Sequence, residues 1–238
     1  MLVLGIETST PICSVALSDD KHVMVHYALD KGVHHSECLL LMVQQVLFDA
    51  GAGFGDIDGI AVASGPGSFT GLRIGMGTAK GLCMATNKPL VCVPTLSGMA
   101  LKSGIEGLPI CAMLDARRNE VYAGVYDMID GFSVERMADR AGMLAEWMEI
   151  LPRPVVLTGE GAWVYRQQLV DGLGHDALFA SRLLGRPDGG AIALIGANRV
   201  VRGMVDDVDV AEPKYLRRSQ AERVREARLE KIGEGKDG

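Results

Sequence analysis

A glycine-rich stretch at residues 64–75, with the sequence SGPGSFTGLRIG, joins two segments of different character. Residues 57–63 form an apolar run that predicts a buried strand. Residues 72–86 contain no proline and enough apolar side chains for a helix of several turns. The stretch therefore predicts a strand, a glycine loop and a helix in succession, and such a loop brings backbone N–H groups close to whatever binds there.

The loop lacks both common nucleotide-binding motifs. A Walker loop ends in a Lys-Ser or Lys-Thr pair, and no glycine here is followed by that pair at the required spacing. A dinucleotide fingerprint that begins at Gly65 has Thr70 in place of its third glycine, and one that begins at Gly75 has Lys80. The glycines therefore need another explanation.

Two similar strand-turn-strand units lie about a hundred residues apart. The first pairs residues 2–6 with 13–17, and the second pairs 109–114 with 121–126. Further strands are predicted at 23–29, 90–93 and 155–158, and further helices at 35–50, 141–150 and 190–204. Hairpins followed by alternating helices and strands predict an α/β protein of two related lobes, each a mixed sheet covered by helices, with the second lobe smaller.

Composition favours a globular cytoplasmic protein. The chain has 238 residues, 48% of them hydrophobic, which is sufficient for a sizeable core. The N-terminus lacks both the basic region and the long apolar run of a secretory signal. No uncharged apolar segment approaches the length that a membrane span needs. The five cysteines form no CxxC pair and are surrounded by apolar residues, so we expect reduced thiols without disulfides or zinc.

Charge argues against a protein wrapped in nucleic acid, because the formal net charge is -6. Basic residues are concentrated only in the C-terminal tail, where positions 217–231 contain six basic and three acidic residues. We favour a solvated helix for this tail over a tRNA-binding module.

The helix at 35–50 has more apolar residues than one face can hold. If Leu40 and Leu47 face the sheet, then other apolar side chains are exposed on an isolated monomer. The helix at 72–86 is rich in glycine and alanine, which permits close helix packing. The candidate partner interface comprises Leu39, Met42, Val43, Val46, Ile74 and Thr78; the alternative is that both helices bury against their own sheet.

Four motifs carry a family resemblance: GIETST with CSVAL at 5–17, GPGSFTGLRIG at 65–75, DARRNEVY at 115–122 and PKYLR at 213–217. They resemble those of the bacterial TsaB family, also called YeaZ, from Leu2 to about Arg217. The resemblance implies an ASKHA fold (actin-like ATPase, ribonuclease-H-like) with a reduced second lobe. We expect a first lobe at 1–103, a second at 104–216 and a charged tail at 217–238.

Members of the family act in making N6-threonylcarbamoyladenosine at position 37 of tRNA. The resemblance implies a non-catalytic subunit that binds and activates a TsaD-type catalytic subunit, joined by a TsaE-type ATPase. The tRNA is then contacted through the complex, and a homodimer is expected when the chain is alone. The alternative is an enzyme acting alone, either a small-molecule ASKHA kinase or an M22-type metallopeptidase.

Sequence positions argue against independent catalysis. TsaD has a His-Met-Glu-Gly-His run that binds a metal, and the corresponding positions here are Thr95–Met99, without either histidine. His34, His35 and Cys38 are better explained as polar residues at a helix start than as metal ligands. We therefore predict no catalytic residue and no metal site.

Nucleotide binding is the remaining question for the site. Thr8, Ser9, Thr10, Gly65 and Gly67 are candidate nucleotide-binding residues, although the three hydroxyls also suit backbone hydrogen bonds in a tight turn. We expect no cofactor bound tightly by the chain alone, with ATP or ADP and Mg²⁺ entering in the complex.

A kinase would need acidic groups, for which Glu7 and Asp115 are the candidates. Glu7 stands where ASKHA kinases have a Mg²⁺-binding aspartate. Asp115, Arg117 and Arg118 also suit a hairpin turn without any further role.

Overall fold

The computed structural model describes residues 1–30 and 34–217, and within them two five-stranded mixed sheets. The first sheet has the order β3-β2-β1-β4-β5. β1 pairs antiparallel with β2 and parallel with β4, and β5 continues the parallel side. The strands are β1 (Val3–Glu7), β2 (Cys13–Ser18), β3 (Val23–Leu29), β4 (Gly59–Gly65) and β5 (Leu90–Pro94).

The second sheet repeats this topology with the order β8-β7-β6-β9-β10. β6 pairs antiparallel with β7 and parallel with β9, as β1 does with β2 and β4. This confirms the two related lobes. The strands are β6 (Ile110–Asp115), β7 (Glu120–Ile129), β8 (Phe132–Met143), β9 (Val155–Thr158) and β10 (Ala177–Phe179).

Seven α-helices and one short 3₁₀ helix, Gly174–Asp176, accompany the sheets in the described part of the chain. The α-helices are α1 (His35–Asp49), α2 (Phe69–Thr86), α3 (Thr95–Ser103), α4 (Leu144–Ile150), α5 (Glu160–Val164), α6 (Arg166–Leu173) and α7 (Gly189–Val201). None of them is long and apolar enough to cross a bilayer.

The first sheet is covered on both faces. α1 and α2 share a hydrophobic cluster with β1, β2 and β4, in which Leu4, Val43 and Met76 are buried. α7 packs on the first sheet in a separate cluster with Val3 and Ala61. Its contact is close, because a methyl group at Gly5 would collide with the backbone of Gly189.

Two helices near the predicted lobe bounds pack against the sheet of the other lobe. α3 ends at the proposed 103/104 boundary, yet its Leu96 and Met99 are buried against the second sheet. α7 falls within 104–216, yet it packs on the first sheet. The chain therefore passes from the first sheet to the second before α3 and returns before α7, and the predicted lobe bounds stay a prediction.

Element ends follow local chemistry. Ser68 precedes α2 and its Oγ accepts the N–H of Gly71 at 3.3 Å, while α2 stops at Asn87, which has a left-handed φ of 55°. Asp188 caps α7 by accepting the N–H of Ala191 at 2.9 Å. The helix predicted at 141–150 begins later, at Leu144, because β8 continues to Met143 as the partner of β7. Most of the C-terminal tail lies outside the described residues.

Candidate functional site

The glycine loop after β4 is filled by the chain itself. The N–H of Ser68 donates to the carbonyl oxygen of Ser9 at 2.6 Å, and Thr8 Oγ1 donates to the carbonyl oxygen of Gly71 at 2.8 Å. A methyl group at Gly67 would collide with Ser9, and one at Gly71 would collide with the carbonyl oxygen of Thr8. The two glycines therefore let the start of α2 pack directly against the turn after β1.

The other side of the loop is covered by residues near the C-terminus. The N–H of Lys214 donates to the carbonyl oxygen of Ser64 at 2.6 Å. Gly65 has a φ of 113°, and a methyl group there would lie 2.6 Å from the carbonyl oxygen of Lys214. The positive φ and the close approach of Lys214 each require glycine at this position.

The five candidate nucleotide-binding residues are thus adjacent but largely enclosed. Thr8, Ser9 and Gly65 are buried, Gly67 is half-buried, and Thr10 reaches the cleft between the lobes. The Oγ1 of Thr10 accepts the N–H of Ile12 at 3.4 Å. Nucleotide binding by these residues stays a prediction, while their contacts explain the residue types by packing within the chain.

Glu7 is a buried carboxylic acid at the end of β1. Its Oε1 accepts the N–H of Ser9 at 2.5 Å, and its Oε2 has no hydrogen-bond partner within residues 1–30 and 34–217. Burial raises the pKa of Glu7 to about 7; the hydrogen bonds from Ser9 oppose this and the charge of Asp188 adds to it. The side chain therefore holds its proton over much of the acidic range.

Replacement of Glu7 by Gln should flatten the dependence of stability on pH. Between its ordinary pKa of 4.5 and about 7, the folded chain binds a proton that the unfolded chain has released. The free energy of unfolding therefore falls as the pH rises through this interval, and Glu7→Gln should remove about 1–3 kcal/mol of that fall. Urea unfolding at pH 4.5, 6 and 7.5 measures the free energy of unfolding of both chains and so the difference between their pH profiles.

The matched control is Glu149→Gln, at an exposed helix position. Asp139, whose pKa burial raises to about 6, contributes a further fall that both variants retain. Equal pH profiles for wild type and Glu7→Gln would show that Glu7 is ionised in the folded chain.

A cleft of about 420 Å³ opens between the lobes beside Thr10. Trp163, Arg182 and Arg186 line it, with Arg182 stacked 4.5 Å from the Trp163 ring. Arg186 Nη1 lies 2.6 Å from a carboxylate oxygen of Asp30, which links the two lobes.

Asp115, the second acidic candidate, is occupied by local contacts. Its Oδ1 accepts the hydroxyl of Tyr165 at 2.8 Å and the N–H of Arg117 at 2.8 Å. The carboxylate therefore stabilises the turn between β6 and β7.

The predicted exposure of three α1 residues is wrong. Leu39, Val43 and Val46 are 1%, 0% and 0% exposed and belong to the core of the first lobe. The expectation placed Leu40 against the sheet, whereas Leu40 is 49% exposed. The helix is rotated so that the stripe of residues 39, 43, 46 and 47 faces inward, as the helical period allows.

The remaining interface candidates are half-buried. Met42, Ile74 and Thr78 lie at the border of the core, and Met42 and Ile74 pack against it. Membership of a partner interface stays a prediction for all six residues.

Two helices nevertheless present an apolar surface. Phe48 and Leu41 on α1 are 78% and 65% exposed, and Met84 on α2 is 70% exposed. Gly77 and Gly81 are exposed on α2, and a methyl group at either would meet nothing within 4 Å. We call the exposed residues Leu40, Leu41, Phe48, Gly77, Gly81 and Met84 the α1–α2 face.

The segment aligned with the histidine run of TsaD begins α3. Thr95 and Leu96 are buried, as is Met99, and the segment packs against the second sheet. His34 precedes α1, and Cys38 Sγ donates to the carbonyl oxygen of His35 at 3.8 Å. No group of three or more potential metal-ligating side chains occurs in the described parts of the chain.

The duplicated sheet topology defines a class of proteins. A solved ROK hexokinase from Thermus thermophilus shares the fold, with a TM-score of 0.52 and 14% identity over 85% of this chain and 100% of that one. The protein therefore has a two-lobed α/β fold of the ASKHA type, as predicted.

Closer relatives define the family within that class. The chain is 32% identical to the tRNA threonylcarbamoyladenosine biosynthesis protein TsaB of Bacillus subtilis, over 93% of this chain and 96% of the relative. A solved structure from Pseudomonas aeruginosa, described as similar to peptidase YEAZ, matches with a TM-score of 0.77 and 29% identity over 91% of this chain and 99% of that one. A family model described as TsaD, tRNA N6-adenosine threonylcarbamoyltransferase, matches residues 31–224. The chain belongs to the TsaB (YeaZ) family, and its place is in tRNA threonylcarbamoyladenosine synthesis.

Proposed function

We propose that this chain is a non-catalytic partner subunit of the complex that forms N6-threonylcarbamoyladenosine at position 37 of tRNA. It binds and activates a TsaD-type catalytic subunit through the α1–α2 face. The observation that carries the proposal is the exposed pair Gly77 and Gly81 on α2, together with the exposed apolar side chains of Met84 on α2 and Phe48 on α1.

The two glycine pairs of α2 have different explanations. Gly71 and Gly75 are required inside the chain, because a methyl group at either would collide with Thr8. Gly77 and Gly81 have open space above them, and each costs about 1 kcal/mol of helix stability relative to alanine. The isolated chain gains nothing from these two, which fits a helix that another helix approaches closely.

Exposed apolar side chains supply the binding free energy. Phe48, Leu41 and Met84 expose well over half of their surface, and large exposed apolar side chains on two packed helices are available to a partner. A related lobe that carries the same two helices is a fitting partner, because large side chains of one copy meet glycines of the other. Without the catalytic subunit, the same face would pair with a second copy in a two-fold arrangement.

Catalysis is assigned to the partner. The positions that correspond to the two metal-binding histidines of TsaD are Thr95 and Met99, neither of which binds a metal through imidazole. The TsaE-type ATPase, and ATP or ADP with Mg²⁺, join at the level of the complex, and the tRNA is modified there. A fold shared with kinases does not make the chain a kinase.

Replacement of Phe48 by Glu tests the docking face. Because Phe48 is 78% exposed, the folded chain should tolerate the change, while a charge in the apolar centre of an interface should weaken pairing at least about 30-fold. Co-purification with the TsaD-type subunit and size-exclusion chromatography at several concentrations measure the effect.

The matched control is Val210→Glu, because Val210 is 71% exposed and lies outside the α1–α2 face. Val210→Glu should pair as wild type does. If Phe48→Glu and Met84→Glu both pair normally, the catalytic subunit binds elsewhere and the proposed function through this face fails.

A further inference from the structure

The turn between β6 and β7 holds two arginines in an unusual conformation. Arg117, Arg118 and Asn119 have φ values of 66°, 59° and 60°, so three consecutive residues that are not glycine are left-handed. Each such residue costs roughly 1–2 kcal/mol. Arg117 and Arg118 are exposed, and their guanidinium groups make no hydrogen bond or ion pair within the described residues.

Hydrogen bonds on both sides hold this turn in place. Asp115 accepts the N–H of Arg117 at 2.8 Å, and the N–H of Leu144 donates to the carbonyl oxygen of Asn119 at 2.9 Å. The N–H of Ala116 donates to the carbonyl oxygen of Glu120 at 3.0 Å. The turn is thus a fixed platform for two cationic side chains.

Residues 213–217, the C-terminal strap, connect this turn to the glycine loop of the first lobe. Arg217 Nη1 donates to the carbonyl oxygen of Ala116 at 2.7 Å, and Arg217 pairs with Glu120. Two residues earlier, the hydroxyl of Tyr215 accepts from Arg73 Nε at 3.0 Å. The Cα atoms of Tyr215 and Arg217 are at most about 7 Å apart, so neighbouring residues of the strap contact α2 and the turn between β6 and β7.

The first-lobe end of the strap is aromatic as well as cationic. The ring centroids of Phe69 and Tyr215 lie 4.7 Å apart with the ring planes tilted by 33°, and the guanidinium of Arg73 lies 3.9 Å from the centroid of the Phe69 ring. Tyr215 is 39% exposed, and Lys214 is exposed next to it. We call Arg73, Lys214, Arg117 and Arg118 the cationic stripe.

We propose that the cationic stripe binds the phosphate backbone of the tRNA, a step that rests on the proposed function. Arginine forks bind phosphate oxygens in pairs, and an exposed aromatic ring such as that of Tyr215 can stack with an unpaired base. The four charges are spread over a helix start, the strap and a hairpin turn, which fits a row of phosphates better than one small anion. Of the two carboxylates that flank the turn, Glu120 is paired with Arg217, whereas Asp115 accepts from two uncharged donors and keeps its charge.

The double substitution Arg117→Gln and Arg118→Gln tests the proposal. The probe is an unmodified, labelled transcript of a tRNA that reads codons beginning with adenine, titrated with the full-length chain at four salt concentrations. Loss of two phosphate contacts should reduce the slope of log affinity against log salt by about 1.4–1.8 and weaken binding at low salt at least 10-fold.

The control is Arg153→Gln with Arg202→Gln, which removes the same charge from two exposed arginines away from the turn. This control should keep the wild-type slope. The proposal is overturned if both double variants change the slope equally, if neither changes it, or if the wild-type chain does not bind the transcript. It is also overturned if deletion of residues 219–238 alone abolishes the whole salt dependence, because the tail would then carry the binding.

Pairing with the TsaD-type subunit separates this proposal from the docking proposal. The Arg117 and Arg118 variant should pair normally, since neither residue belongs to the α1–α2 face. Loss of pairing with an unchanged salt slope would make the turn a protein contact and refute RNA binding. Normal pairing by both Phe48→Glu and Met84→Glu would instead refute the docking face and leave the RNA result to stand by itself.

Discussion

Gly71→Ala should destabilise the chain by about 2–4 kcal/mol, although alanine is the better helix former. The new methyl group would collide with the carbonyl oxygen of Thr8, which is backbone and cannot rotate away. The collision can be relieved only if α2 moves away from the turn after β1. This movement would also strain the hydrogen bond from Thr8 Oγ1 to the carbonyl oxygen of Gly71. Thermal unfolding should show a melting temperature lower by roughly 5–15 °C.

Gly77→Ala, on the same helix, is the matched control. A methyl group there meets nothing within 4 Å, so this variant should gain up to about 1 kcal/mol from helix propensity. If Gly71→Ala is as stable as Gly77→Ala, the glycine loop is not packed against Thr8 and its glycines serve another purpose.

Val43→Glu should largely unfold the chain. Val43 lies on the face of α1 that packs against the first sheet, and it is fully buried. A carboxylate placed there has no cationic partner in the surrounding hydrophobic cluster. Burial of an unpaired charge, together with the lost packing, should cost about 4 kcal/mol or more, a large part of the stability of a domain. Circular dichroism and urea unfolding at neutral pH measure this directly.

The comparison that matters is with Phe48→Glu on the same helix. Both changes place a glutamate on α1, but Phe48 is 78% exposed, so its variant should stay within about 0.5 kcal/mol of wild type. A folded, stable Val43→Glu chain would mean that α1 has the opposite rotation and that its exposed face is the one first expected from the sequence.

Strand periodicity and the glycine loop predicted most of the first lobe, because β1 and β4 are continuous apolar runs that end in turn residues. The repeat of a strand-turn-strand unit predicted the second sheet. β8 was missed because its edge position leaves many polar residues exposed, such as Glu135 and Arg136, so no apolar pattern marks it.

The rotation of α1 could not be obtained from its sequence. Residues 39–43 are all apolar, so the pattern does not distinguish Leu40 from Leu39 as the inward residue. Only the packing of Leu39 and Val43 against the sheet decides it. The contacts of the glycine loop with Thr8 and Lys214 could not be predicted from the sequence either, because they join residues far apart in the chain.

The most direct test of a docking role is threonylcarbamoyl transfer to tRNA in a reconstituted mixture. The purified chain alone should transfer nothing, the mixture with the TsaD-type and TsaE-type subunits should be active, and Phe48→Glu should lose that activity while Val210→Glu keeps it. Transfer by the purified chain alone, or full activity of the mixture that contains Phe48→Glu, would contradict the account.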